Sequence, residues 1–247
     1  MMHLFLEKKS LHGSEVYVEG ENLHYLKNVR RIRKGDAINA VIGERYYTLR
    51  VYRIDQDRII CRVEVSRQLK DRSGIVLSVY QGILKARKMD FVISRLAEVG
   101  VRSFNPLLTE RTVPSSVSNN RLQRWMKLAK EASKISGFER VMNVVKPRSI
   151  DDVCCNLKKD RDGIILVFST APGCVHIRSF LSSCTLTENR NFHLFFGPEG
   201  GFSPREIRAL QDVGGVAVSM GNFIMKSETA AIVGSGFISV YYSGLEG

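Results

Sequence analysis

NFHLFFGPEGGFSPREIRALQDVG, residues 191–214, is the stretch on which the fold turns. Asn191 to Phe196 form a short, nearly continuous apolar run, the pattern of a strand buried on both faces. A glycine-rich loop, Gly197-Pro198-Glu199-Gly200-Gly201-Phe202, follows at once. A helix then opens with Ser203 as N-cap, Pro204 at the first helical position and Glu206 to close a capping box. Ile207, Leu210 and Val213 fall on one face, and Gly214 ends it. A buried strand that turns straight into a capped helix is the repeating unit of an α/β sheet.

The same rhythm extends in both directions. Downstream, a strand at Val216 to Met220 runs into a second loop, Gly221-Asn222-Phe223-Ile224-Met225-Lys226, and the uncharged stretch Thr229 to Gly244 reads as a buried helix. Upstream, strands are predicted at Ile75 to Gln81, Val101 to Leu107, Val141 to Val145 and Gly163 to Ser169. A helix from about Arg87 to Val99 puts Met89, Val92, Ile93 and Leu96 on one face. Another, Asn120 to Ser136, turns Leu122, Trp125, Ala129 and Ala132 inward and leaves Arg121, Arg124, Lys127, Lys130 and Lys134 for solvent or phosphate. Trp125 reads as a core anchor. Together these elements predict a mostly parallel sheet covered on both faces.

Before about residue 70 the period is different. Short strand-like segments at Glu15 to Val18, Ala37 to Ile42, Tyr46 to Ile54 and Arg58 to Val65, separated by polar turns, predict a small β-barrel. One helix-like insert, Asn22 to Arg33, carries His24 and four cations. With the polar stretch Gln68 to Gly74 as linker, the chain divides into domains 1–72 and 73–247.

With 247 residues, 44% hydrophobic and 25% charged, the composition is that of a globular protein rather than a disordered one. Five cysteines, without a C-x-x-C pair, suggest neither a disulfide framework nor a zinc ribbon, and the histidines lack metal-ligand spacing, so no metal is expected. No apolar run is long enough for a membrane span, and Glu7, Lys8 and Lys9 interrupt the start, which points to the cytoplasm. The net charge of +12 points to a polyanionic partner. Its placement is uneven: residues 1–72 hold 15 basic against 10 acidic side chains, residues 73–160 hold 16 against 8, and residues 161–247 hold 6 against 7. Phosphate contact therefore belongs to the first two thirds, although an excess of Lys and Arg is also what a solvated surface looks like.

Phosphate-loop, dinucleotide and esterase-elbow signatures are missing, which disfavours nucleotide hydrolysis, ordinary dinucleotide binding and acyl chemistry. The two glycine loops remain. Each sits at the end of a late strand, where open α/β sheets bind ligands and where glycine lets backbone approach a ligand closely. By spacing alone, plain tight turns are the commoner reading of such punctuation.

GPEGGFSPREI, MGNFIMKSETAAI, KARKMDFVISRLAEVGV with NPLLTERT, and RWMKLAKEASKISG together closely resemble the RsmE family of ribosomal RNA methyltransferases, matching it in order and spacing across most of residues 80–235. His24 to Asp36 and Gly43 resemble, more loosely, the start of that family's PUA-like RNA-binding barrel. The resemblance implies a SPOUT-type α/β domain with a trefoil knot, S-adenosyl-L-methionine as cofactor, a homodimer, and methylation of N3 of one uridine in 16S rRNA of the small ribosomal subunit. Carried over by position, Phe196, Gly197, Pro198, Glu199, Gly200 and Gly201, then Met220, Gly221, Ile224, Met225 and Lys226, with Thr229 and Ala230, would hold the cofactor. Glu228 is the candidate base for the N3 proton, and Arg111 or Lys226 the candidate cation for the uridine carbonyl oxygens. A carboxylate favoured by a helix N-terminus is the simpler reading of Glu228. Lys27, Arg30, Arg31, Arg33, Lys85, Arg87 and Lys88 would contact RNA phosphates.

The sequence departs from the family at two places. Asn222-Phe223 replaces the usual proline-arginine, with Lys226 where arginine is usual, and Phe138 stands where arginine usually follows serine-glycine. Lysine cannot reproduce a bidentate arginine contact. These departures keep two alternatives open: an rRNA-binding assembly factor without catalysis, and a knotted RNA methyltransferase acting on another position or on ribose.

Overall fold

The computed structural model describes residues 3–69, 74–85, 87–112, 116–158, 163–184 and 190–243. The chain forms two compact units, Met1–Asp71 with Lys134–Val141, and Arg72–Ser133 with Met142–Gly247. The seam expected between residues 72 and 73 lies outside the described residues.

The first unit comprises β1 (His3–Leu6), β2 (Leu11–His12), β3 (Glu15–Val18), α1 (Gly20–His24), β4 (Ala37–Ile42), β5 (Arg45–Ile54) and β6 (Ile59–Gln68). They make one sheet in the order β1-β4-β5-β6-β3-β2, antiparallel except where β1 joins β4. Alternation puts Ile38, Ala40 and Ile42 of β4, Leu49 and Val51 of β5, and Ile59 and Cys61 of β6 into a shared core. Register shifts in β5 at Thr48/Leu49 and Val51/Arg53 bend the sheet around that core, giving the PUA-like half-barrel. Burial pushes the Cys61 thiol up to about 12, so it stays protonated and inert. The insert predicted as one helix over 22–33 is instead α1 followed by a single wider turn, Tyr25–Val29. It ends before Arg31, which adopts φ 50. The Asp36 carboxylate accepts from the Arg33 amide at 2.7 Å and closes the following turn. In the returning segment, Glu139 is 3% exposed and takes both nitrogens of the Arg67 fork, at 2.5 and 2.7 Å.

The second unit runs β7 (Ile75–Gly82), α2 (Lys88–Glu98), β8 (Ser103–Leu108), α3 (Asn119–Ser136), β9 (Asn143–Val144), β10 (Arg148–Ser149), α4 (Ile150–Leu157), β11 (Ile164–Phe168), β12 (Val175–His176), α5 (Ile177–Ser183), β13 (Arg190–Phe196), α6 (Pro204–Gln211), β14 (Val216–Ser219) and α7 (Ser227–Ser243). α3 begins in this unit, and its last residues are grouped with the first. The sheet order is β10-β8-β7-β13-β11-β14-β12, with β9 also on β8, and every pairing is parallel. β13 lies in the middle. Phe192, Leu194 and Phe196 pack against residues of α2, α3 and α7, whereas Phe195 packs on the other side with α4 and α6. That two-sided burial is why the run 191–196 carries no polar alternation.

Trp125 is fully buried, with the Arg121 guanidinium 4.9 Å from its ring centroid. Two of the α3 cations differ from their expected display: Lys134 is buried, and Arg124 pairs with Asp90. α7 is buried on one side through Ala231, Ile238 and Tyr242. Its opposite face, Val233, Phe237 and Val240, is exposed, so the helix is not buried all round as its composition suggested.

Candidate cofactor and RNA site

Three neighbouring parallel strands, β13, β11 and β14, release their loops at the same edge of the sheet. Those loops, Gly197–Phe202, Ser169–Ala171 and Met220–Met225, surround a cavity of about 490 Å³. This volume lies within the range of small-molecule sites. Val167, Phe168, Phe196 and Val218 supply its apolar floor, and Ser227 and Ala230 of α7 one wall. Phe168 and Phe196 stack at 4.3 Å, giving that floor an aromatic surface.

Loop 197–202 is shaped by close backbone approach. A Cβ on Gly197 would sit 2.9 Å from Gly201 backbone atoms, and one on Gly82 would sit 2.5 Å from the backbone nitrogen and Cδ of Pro198. Gly201 has φ +68, which a side chain would strain. Polar contacts then fasten the loop. Arg111 donates to the Gly200 carbonyl at 2.7 Å, and Lys88 donates to Glu199 at 3.0 Å, as does the Lys85 amide at 3.3 Å. Partial burial works against ionisation of Glu199. Its own amide, Lys88 and the Lys85 amide outweigh that, and its pKa lies below the ordinary carboxylate value. The hydrogen bond from Lys88 to Glu199 raises the lysine in turn. The capping box forms as the sequence indicates: Ser203 Oγ accepts from the Glu206 amide at 3.2 Å, and Glu206 accepts from the Ser203 amide at 2.8 Å. The other Glu206 oxygen accepts from the Glu110 amide, also at 2.8 Å.

Loop 221–226 is open by contrast. Phe223 and Ile224 are 62% and 87% exposed, although both line the cavity. Gly221 adopts φ +132, a conformation that a side chain rarely adopts.

Of the residues carried over as cofactor contacts, Phe196 to Gly201, Met220, Gly221, Ile224, Met225 and Ala230 line the cavity; Lys226 and Thr229 are exposed outside the lining. Arg111 packs along Gly200 and braces it. Glu228, at the start of α7, directs one oxygen to Lys88 at 3.5 Å, while its other oxygen is buried and has no hydrogen-bond partner. The proposed RNA contacts differ among themselves. Arg30, Arg31, Arg33 and Arg87 are exposed. Lys27 is already spent on the carbonyls of Asp55 and Gln56, at 2.6 and 3.1 Å, and Lys88 on two carboxylates. Arg140, two residues beyond Phe138, pairs with Glu44 at 2.7 Å.

The sequence reading missed Gln81, Gly82, Ser227 and the loop after β11. The last was within reach, because Gly163 to Ser169 was predicted as a strand and the strand-end rule applies to it equally.

Among the described residues there is no cluster of three metal-ligating side chains and no helix long and apolar enough to cross a membrane. The arrangement is thus a backbone-lined, partly aromatic pocket at strand ends, with a basic half-barrel as a separate unit.

Residues 71–239 match the model of the RNA methyltransferase domain, and residues 18–64 that of the RNA methyltransferase PUA domain; the chain belongs to the RNA methyltransferase domain family. Among its relatives are ribosomal RNA small subunit methyltransferase E of Aquifex aeolicus, 26% identical over 94% of this chain and 96% of that protein, and of Bacillus subtilis, 24% identical over 100% and 99%. The crystal structure of a ribosomal RNA small subunit methyltransferase E from Neisseria gonorrhoeae, bound to S-adenosyl methionine, superposes with a TM-score of 0.82. It is 23% identical and covers 98% of each chain.

Proposed function

We propose that the protein transfers a methyl group from S-adenosyl-L-methionine to N3 of a uridine in 16S rRNA of the small ribosomal subunit, working in the cytoplasm as a homodimer. The observation that carries this reading is the cavity at the ends of β11, β13 and β14 in a chain of the RNA methyltransferase family. The residues fit the cofactor. Gly197, Gly200 and Gly201 leave backbone bare for the donor and acceptor edge of an adenine, and Phe168 and Phe196 offer an apolar surface for its ring. S-adenosylmethionine supplies an electrophilic methyl group. The chain's own contribution is to hold uridine N3 in line with it, so positioning dominates the catalysis.

The N3 proton must leave as the N–C bond forms. Glu228 is the proposed acceptor, through its unpartnered oxygen, with Lys88 holding the carboxylate by the other. Lys226, exposed beside the cavity-lining Met225, is the proposed cation for the uridine carbonyl oxygens; Arg111 is committed to bracing Gly200. Arg30, Arg31, Arg33 and Arg87 supply phosphate contacts that position the RNA without reading its sequence. The exposed apolar face of Val233, Phe237 and Val240 supports the homodimer, and the trefoil knot belongs to the same proposal.

The test incubates the protein with labelled S-adenosylmethionine and small subunits whose rRNA lacks the modification, then identifies the labelled nucleoside by mass spectrometry. Labelled 3-methyluridine is expected. A ribose-methylated product overturns the N3 assignment, and absence of label from a preparation that binds both cofactor and subunit favours a non-catalytic assembly factor.

A further inference from the structure

Gln81 is the last-but-one residue of β7 and is completely buried. Its carboxamide nitrogen lies 2.9 Å from Ser227 Oγ, 3.0 Å from the Gly82 carbonyl, 3.2 Å from the Gly197 carbonyl and 3.4 Å from the Phe196 carbonyl. Three of these four are carbonyl oxygens, which only accept, so the NH2 group and not the oxygen of the amide must face them. Ser227 Oγ in turn donates to the Gly197 carbonyl at 2.5 Å. The proton order follows: Gln81 donates to Ser227, and Ser227 donates to Gly197. The amide oxygen of Gln81 is left buried without a partner among the described residues, an arrangement that costs stability.

Gly197 opens the glycine loop and Ser227 opens α7, so this relay joins two walls of the cavity through a side chain that belongs to neither. It also fixes the peptide between Gly197 and Pro198. With the Gly197 carbonyl held toward Gln81 and Ser227, the loop cannot turn that oxygen into the cavity, and Pro198 is kept against Gly82, where no Cβ intrudes. We infer that Gln81 is a positioning residue for the methyl-transfer site: through Ser227 it sets the orientation of the Gly197 peptide and so presets the glycine loop for the cofactor. Gln81 does not line the cavity, and it acts through the loop.

The inference rests on the cofactor reading above, and the test separates the two. S-adenosylmethionine binding to the full-length protein is measured by calorimetry for wild type, Gln81→Leu, Gln81→Glu, Ser227→Ala and the Gln81→Leu/Ser227→Ala double variant, with label transfer and melting temperature recorded for each. Gln81→Leu should weaken binding roughly tenfold, the loss of one or two buried hydrogen bonds. Ser227→Ala should weaken it by a smaller factor, and the double variant should be no worse than Gln81→Leu alone, because one relay is being broken twice.

Gln81→Glu supplies the readout that a merely structural role would not move. A carboxylate facing three carbonyls is repelled, while its protonated form can still donate to Ser227. The affinity of this variant relative to wild type should therefore recover as pH falls. If Gln81→Leu does not fold, Gln81→Glu and Ser227→Ala carry the test. Wild-type affinity in these variants, additive losses, or no recovery of Gln81→Glu in acid overturns the relay alone. A wild-type protein that does not bind S-adenosylmethionine overturns the cofactor reading and, with it, the purpose of the relay.

Discussion

Loop 197–202 and loop 221–226 face one cavity, and they are held in different ways. The first is fastened at Gly197 by Gln81 and Ser227, at Glu199 by Lys85 and Lys88, at Gly200 by Arg111, and at its exit by the Ser203–Glu206 capping box. Among the described residues, the second has no side-chain hydrogen bond or ion pair at Asn222 or Lys226, and it presents Phe223 and Ile224 to solvent. A site built this way has one wall set before binding and one wall that gains its contacts from the ligand. The entropy of ordering is paid in folding for the first and in binding for the second. The same substitution chemistry should therefore read out as stability in one loop and as affinity in the other.

The largest effect is expected at Gly82. Gly82→Val places a Cβ 2.5 Å from Pro198 backbone, which cannot move without the whole loop. A cost of about 3 kcal/mol is expected, equivalent in a protein of this size to a fall in melting temperature of roughly 6–12 °C. Unchanged melting would show that the first loop is not rigidly seated. Glu206→Ala should come next. It leaves the Ser203 and Glu110 amides without their acceptor at a residue 2% exposed, for about 2 kcal/mol by denaturant titration.

Acid should loosen the same loop. The pKa of Glu199 is lower in the folded protein than its ordinary value, so the unfolded chain binds the proton more readily. Its contribution is present above the ordinary carboxylate range and is lost as pH falls through the depressed folded value. The stability difference between wild type and Glu199→Gln should thus shrink on acidification, and a difference that persists unchanged at the acid end would break the assignment. Ile224→Ser should move stability least, within about 0.5 kcal/mol, while weakening S-adenosylmethionine binding severalfold by calorimetry. An equal loss of stability would erase the distinction between the loops.

The contrast was only half legible in the sequence. Strand β13, the capped helix α6 and the glycines were readable because each has a local signature: a continuous apolar run, S-x-x-E with proline, and turn punctuation. What braces the loop was not, since Gln81, Gly82 and Arg111 lie about ninety to a hundred and fifteen residues away in the chain; Gln81 and Gly82 reach it through parallel pairing of β7 with β13, and Arg111 from the segment after β8, the strand on the other side of β7. In sequence, Gln81 is simply a polar residue at the end of an apolar strand. The two-residue strands β10 and β12 have no period to detect. Lys27 looked like a phosphate contact because charge is visible in a sequence and the carbonyls that absorb it are not. Uncharged composition likewise suggested burial all round for α7, although Val233, Phe237 and Val240 share an exposed face.

Amide hydrogen exchange with and without S-adenosylmethionine tests the comparison most directly. Residues 197–202 should be protected already in the free protein and change little, whereas residues 221–226 should exchange fast when free and slow markedly on binding. Equal protection of both loops, or protection confined to a region away from this cavity, would contradict the account.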